Sequence, residues 1–132
     1  MTRRLWQKLL LVFCAGGWAA AFIVTHLPAQ DIPSLQAGDK VLHVTGYFLI
    51  ACAFGAVLIA HGVRPLRRAI IMIVTMGAYG IFDELTQPLF GRSADSIDWF
   101  ADMGGTILAV LVLQTVTMFF RKKISQPSRI IC

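Results

Sequence analysis

Charge is scarce in this chain. Only 14% of its 132 residues are charged and 57% are hydrophobic, whereas a soluble domain carries about 25% and about 45–50%. A chain this short leaves much of its surface exposed however it folds. With a mean hydropathy of +0.70, its solvent is lipid. Acids are scarcer still, at seven. Three cysteines, Cys14, Cys52 and Cys132, have no recognisable spacing, which argues against a disulfide framework or a thiolate metal site. There is no nucleophile elbow, phosphate loop, HExxH, internal repeat or low-complexity tract.

What is present is a set of long apolar runs. Four spans are expected, at about 5–25, 41–60, 69–87 and 97–120, in one domain covering 1–132. The third run is apolar only to Ile81, and reaches membrane length if the helix continues to Gln87, since a spanning helix needs roughly 20 residues. Backbone groups in hydrocarbon must pair within their own segment, so the spans are helices. The expected fold is an all-α, integral membrane four-helix bundle. The first span opens like a secretory signal, but it is too long and lacks a clean cleavage site, so it is read as uncleaved. An irregular connection carrying Pro28, Asp31 and Pro33 follows it, and the residues after span four read as a frayed tail.

The few charges are sorted. Arg3, Arg4, Lys8, Arg64, Arg67, Arg68, Arg121, Lys122, Lys123 and Arg129 fall at one end of the spans, leaving Lys40 and Arg92 at the other. Loops rich in Lys and Arg stay in the cytoplasm, so both termini are expected there. All seven acids fall at the opposite, outer end. The net charge of +5 therefore reports topology and some attraction to anionic lipid, and does not point to nucleic acid.

Five of the seven acids crowd into residues 83–102, "DELTQPLFGRSADSIDWFAD". At the start of span two, Asp39 is placed to cap the helix, and His43 and Tyr47 follow it on one face at four-residue steps. Asp83 and Gln87 share a face with Tyr79 beneath them, while Glu84 is turned by roughly 100°. Adjacent acids at a helix C-terminus oppose the dipole and call for a cation, proton or metal ion. In span four, Asp95, Asp98 and Asp102 form one stripe, with Asp95 or Ser96 as the cap. Asp102 lies about 10 Å further along, near or inside the hydrocarbon, where a carboxylate faces the bundle interior and marks a candidate site. Ala101, Gly105 and Ala109, widened by Gly104, make a track for close helix contact.

These blocks resemble a known family. "DKVLHVTGYF" and "DELTQPLFGRSADSIDWFADMGG" look like the two signature blocks of VanZ-like membrane proteins. The first pattern is matched by Asp39, Lys40, His43 and Tyr47, and the rest by Asp83, Glu84, Gln87, Gly91, Arg92, Asp98 and Asp102. The match covers about residues 39–110. It implies a multi-pass protein of the bacterial cytoplasmic membrane, concerned with the cell envelope and associated with lowered sensitivity to teicoplanin-type glycopeptides.

Several readings of the site stay open. In one, Lys40 and Arg92 engage an anionic, lipid-linked or cell-wall-related ligand, with Tyr47, Asp83, Glu84, Gln87 and Asp102 completing the site; Arg suits forked recognition better than Lys. In another, an enzyme acts on a lipid-linked or polyprenyl-phosphate substrate, with His43 as acid or base and Asp39 or Asp98 orienting it. The carboxylates suit a divalent cation such as Mg²⁺ or Ca²⁺ better than zinc, because His26 and His43 are the only outer histidines. Proton handling ranks lower, since no acid lies in the inner half. A structural or partner-bridging role is the remaining alternative.

Overall fold

A computed structural model describes residues 2–27 and 38–125, without the side chains of Asp39 and residues 122–125. The elements are α1 (Arg3–Thr25), α2 (Asp39–Ala60), α3 (Pro65–Thr86) and α4 (Ser96–Ser125), with a short 3-10 turn over Gln87–Phe90. All four helices are long and apolar enough to cross a membrane. The expected connection with Pro28, Asp31 and Pro33, the tail with Arg129 and Cys132, and the Asp39 side chain lie outside the described residues.

Helix α2 is the centre of the bundle. It packs most widely on α4 and also touches α1 and α3. The core joins Tyr47, Ile50 and Ala51 of α2, Met72 and Met76 of α3, and Ala109 and Val110 of α4. The α2–α4 approach depends on Gly105, where a Cβ would collide with the carbonyl oxygen of Val44. Backbones come this close only where a side chain is missing. Gly104, expected to widen the track, is instead exposed, and a Cβ there would meet nothing within 4 Å.

Large apolar side chains ring the outside. Leu66, Val74, Leu89 and Phe119 are all exposed, as helices surrounded by lipid require. Helix α1 is the most peripheral, with Cys14 as its one buried residue. It is held by Trp18, whose ring centroid lies 4.6 Å from that of Tyr79, and by hydrogen bonds near its C-terminus.

The helix ends carry the local chemistry. Pro65 takes the first position of α3, where its missing N–H costs nothing, so this helix starts four residues before the expected span. At its other end, Thr86 donates back to the carbonyls of Phe82 and Asp83. Gly91, at φ +77°, closes the 3-10 turn in the left-handed region that favours glycine. Asp95 caps α4 as expected: its Oδ1 accepts from the Ile97 N–H at 2.9 Å. At α2 the cap position is Gly38, and Asp39 is the first helical residue; the capping role expected of its side chain lies outside the described residues.

Candidate functional site

The carboxylates of α3 and α4 gather with α2 at one end of the bundle. Asp83, Glu84, Asp98 and Asp102 are all buried, and so are His43 and Gln87. Burying an ionised carboxylate is costly unless charge or hydrogen bonds compensate it, so the partners of each group define what the site can do.

On the α2–α4 side, Lys40 bridges two acids, with its Nζ 2.6 Å from Oδ1 of Asp98 and 3.0 Å from Oδ2 of Asp95. One turn deeper, Nδ1 of His43 lies 2.8 Å from Oδ1 of Asp102. With Asp102 ionised, Nδ1 is the donor, and Nε2 lies 3.8 Å from Oδ2 of Asp98. Glu84 closes the cluster from α3. Its Oε2 accepts from the Asp95 N–H at 2.8 Å, so the acid turned away from Asp83 pins the start of α4.

Several polar atoms here are left over. Among the described residues, Oε1 of Glu84, Oδ2 of Asp102 and the hydroxyls of Tyr47, Tyr79 and Thr106 are buried without a hydrogen-bond partner. Ligand atoms of His43, Glu84 and Asp98 lie within 4.8 Å of one another. These three could hold a divalent cation, with Asp102 fixing the ring of His43 as carboxylates do behind metal-bound histidines. A cation there would compete with the Lys40 ammonium for Asp98.

The Ile97 N–H, and after it the Lys40 ammonium, hold the Asp95 carboxyl below its usual range.

The α1–α3 side forms a second cluster. The Thr25 hydroxyl lies 2.8 Å from Oδ1 of Asp83, and Nε2 of Gln87 donates to Oδ2 at 3.3 Å. His26 lies beside them, its Nε2 2.8 Å from the Thr86 hydroxyl and its Nδ1 3.7 Å from Asp83. Thr25 and Thr86 were not anticipated from the sequence, and His26 entered only as a count against zinc. The one signal available was the polar "TH" closing an otherwise apolar span.

Between the clusters lies a small cavity of about 80 Å³, lined by Thr25, His43, Tyr47 and Arg92 among others. The expected residues are therefore brought together in three ways. Lys40, His43, Glu84, Asp98 and Asp102 form one group, Asp83 and Gln87 another, and Tyr47 and Arg92 line the space between. The fold and site define a multi-pass, all-α membrane protein with a buried carboxylate–histidine cluster at one end. Set against family models, curated proteins and solved structures, the chain matches none.

Proposed function

We propose that the chain is a VanZ-like protein of the bacterial cytoplasmic membrane, with both termini in the cytoplasm, that binds an anionic envelope component at its outer face and lowers sensitivity to teicoplanin-type glycopeptides. The observation carrying this reading is the cavity bounded by Arg92, His43 and Tyr47. It has room for a small headgroup such as a phosphate or carboxylate. Arg92 is the anion-facing cation in this scheme because it lines that cavity, while Lys40, bridging Asp95 and Asp98, balances those acids.

The test compares one sensitive strain carrying the wild type, Arg92→Ala, His43→Ala or Asp98→Asn, challenged with teicoplanin at matched membrane abundance. Protection by the wild type that is lost in the variants supports the reading. Equal behaviour of all four means that the cluster is a scaffold or that the chain serves another ligand, and either removes the support for this site.

The His43–Asp102 pair favours a second reading, an enzyme acting on a lipid-linked or polyprenyl phosphate. A carboxylate that orients an imidazole prepares its second nitrogen to take or give a proton. Turnover of such a phosphate by purified protein, abolished in His43→Ala, would select this reading.

A further inference from the structure

The opposite end of the bundle holds a buried charge with no counter-ion among the described residues. Arg68 was grouped with the basic loop residues, but it lies inside α3 and is only 3% exposed. No acidic residue occurs between positions 41 and 82 or beyond 102, so no carboxylate side chain from α4 beyond Asp102 or from the α2–α3 turn can neutralise it.

Polar neighbours hold the guanidinium in place. Its Nη2 donates to Oε1 of Gln114 at 2.6 Å and to the Thr117 hydroxyl at 3.0 Å. Gln114 in turn donates to the Pro65 carbonyl at 2.8 Å, and Thr117 to the carbonyls of Leu113 and Gln114. The remaining N–H groups of Arg68 have no hydrogen-bond partner among the described residues. A buried, unneutralised guanidinium is unfavourable, and bracing it with two side chains makes sense where an anion completes the set.

The space for that anion is present. A cavity of about 530 Å³ opens beside Arg68, bounded by Arg64 and Arg121 and walled by Ile59, Val63 and Phe120. The N-terminus of α3 also faces this region. It has Pro65 in its first turn, no acidic residue there and no side-chain cap, so its dipole and free N–H groups add to the attraction for an anion. Three arginines on one side and an apolar wall on the other match a phosphate attached to hydrocarbon. Basic pockets between membrane helices are suited to lipid phosphates, and the forked guanidinium suits phosphate oxygens.

We infer that this cavity binds the phosphate of an anionic lipid headgroup through Arg64, Arg68 and Arg121. The site is independent of the carboxylate cluster and of the function proposed for it. Arg68 is the fixed anchor, the two exposed arginines close over the phosphate, and the apolar wall takes the glycerol and upper acyl chain.

The experiment follows thermal unfolding of the full chain in a neutral detergent. Phosphatidylglycerol, phosphatidylcholine, or inorganic phosphate at matched ionic strength is titrated in. Phosphatidylglycerol is expected to raise Tm saturably, while phosphatidylcholine does not. Affinity should fall about fivefold for each arginine removed in Arg68→Gln and in the Arg64→Gln/Arg121→Gln double variant. Because both residues of the double variant are exposed, it tests binding even if Arg68→Gln fails to fold. A shift given equally by inorganic phosphate keeps the phosphate site but overturns the lipid as its source. An equal phosphatidylglycerol shift in the double variant, or no shift with any probe, overturns the site.

Discussion

His43 and Asp102 meet at 2.8 Å across the α2–α4 seam, at the depth where Gly105 lets the two backbones touch. The hydrogen bond and the close packing support each other, since neither side chain could reach the other across a wider gap. Asp102 is also enclosed from α3, where a Cβ added at Gly80 would come within 3.3 Å of its Oδ2.

Removing Asp102 should therefore destabilise the bundle. Leaving a buried hydrogen-bonding group without its partner costs roughly 1–3 kcal/mol. Asp102→Ala is expected to reach that range, and Asp102→Asn less, because the amide can still bond to the ring. Thermal unfolding in detergent measures the difference. Nitrogen NMR of the His43 ring checks the mechanism, since loss of the carboxylate should shift the tautomer balance away from Nδ1–H. An unchanged tautomer in Asp102→Ala would remove the orienting role assigned to Asp102.

The glycine pair on α4 separates packing from helix propensity. Gly105→Ala drives a Cβ into the Val44 carbonyl and should cost about 1–3 kcal/mol as an overpacked site. Gly104→Ala meets nothing within 4 Å and should gain up to about 1 kcal/mol from better helix propensity. Unfolding midpoints of the two variants should move in opposite directions. Equal shifts would mean that the seam does not run through Gly105.

Much of this arrangement was legible in the sequence, and the rest was not for identifiable reasons. The spans could be read because lipid imposes length and apolarity on each helix separately. His43, Asp98 and Asp102 could be read because a polar residue inside a span must face inward. The partner choices could not, since they depend on the tertiary fold. Arg68 looked like a flanking charge because its partners, Gln114 and Thr117, are 46 and 49 residues away. The Thr25–Asp83 bond, across 58 residues, was hidden for the same reason. Lys40 could be recognised as an outer cation, but its sharing between Asp95 and Asp98 follows from how α2 meets α4.

Helix α1 should be anchored at its end through Thr25. Thr25→Val keeps the shape but removes a hydroxyl bound to the buried Asp83, leaving that oxygen without this partner at a cost of about 1–3 kcal/mol. Thr25→Ser should retain most of the stability. Limited proteolysis between α1 and α2, alongside thermal unfolding, should show faster cleavage in the valine variant alone. Equal cleavage in both variants would show that Thr25 contributes little beyond its methyl group.

Acid should weaken the outer rim through Asp95. Its carboxyl titrates below the usual value because the Ile97 N–H and the Lys40 ammonium favour the charged form. A lowered folded-state pKa contributes stability above the unfolded value of about 3.9, and that contribution is lost as pH falls through the folded value. Asparagine still caps a helix well, so Asp95→Asn isolates the charge. Wild type should be more stable than Asp95→Asn at pH 6, and the gap should begin to shrink as the pH falls below about 4 and close below the folded-state value. A gap that persists at lower pH would assign the difference to something other than this titration.

Lys40 and a divalent cation compete for the same carboxylate. The ammonium lies 2.6 Å from Oδ1 of Asp98, and Asp98 is one of the three residues, with His43 and Glu84, whose ligand atoms fall within 4.8 Å. Two cations cannot share that carboxylate without repulsion, whereas Oε1 of Glu84 is buried with no hydrogen-bond partner among the described residues and gains from a metal ion. Lys40→Met keeps the apolar stem and removes the charge, leaving Asp98 to seek another cation. Manganese, which accepts oxygen and imidazole ligands, should then bind Lys40→Met at least about tenfold more tightly than wild type, a change equivalent to about 1.4 kcal/mol. Electron paramagnetic resonance titration of free Mn²⁺ reads this directly, with Lys40→Met/Glu84→Gln as the control that should lose the gain. Equal affinity in wild type and Lys40→Met would mean that the ammonium does not guard a metal site, and that Lys40 serves only to neutralise the acids around it.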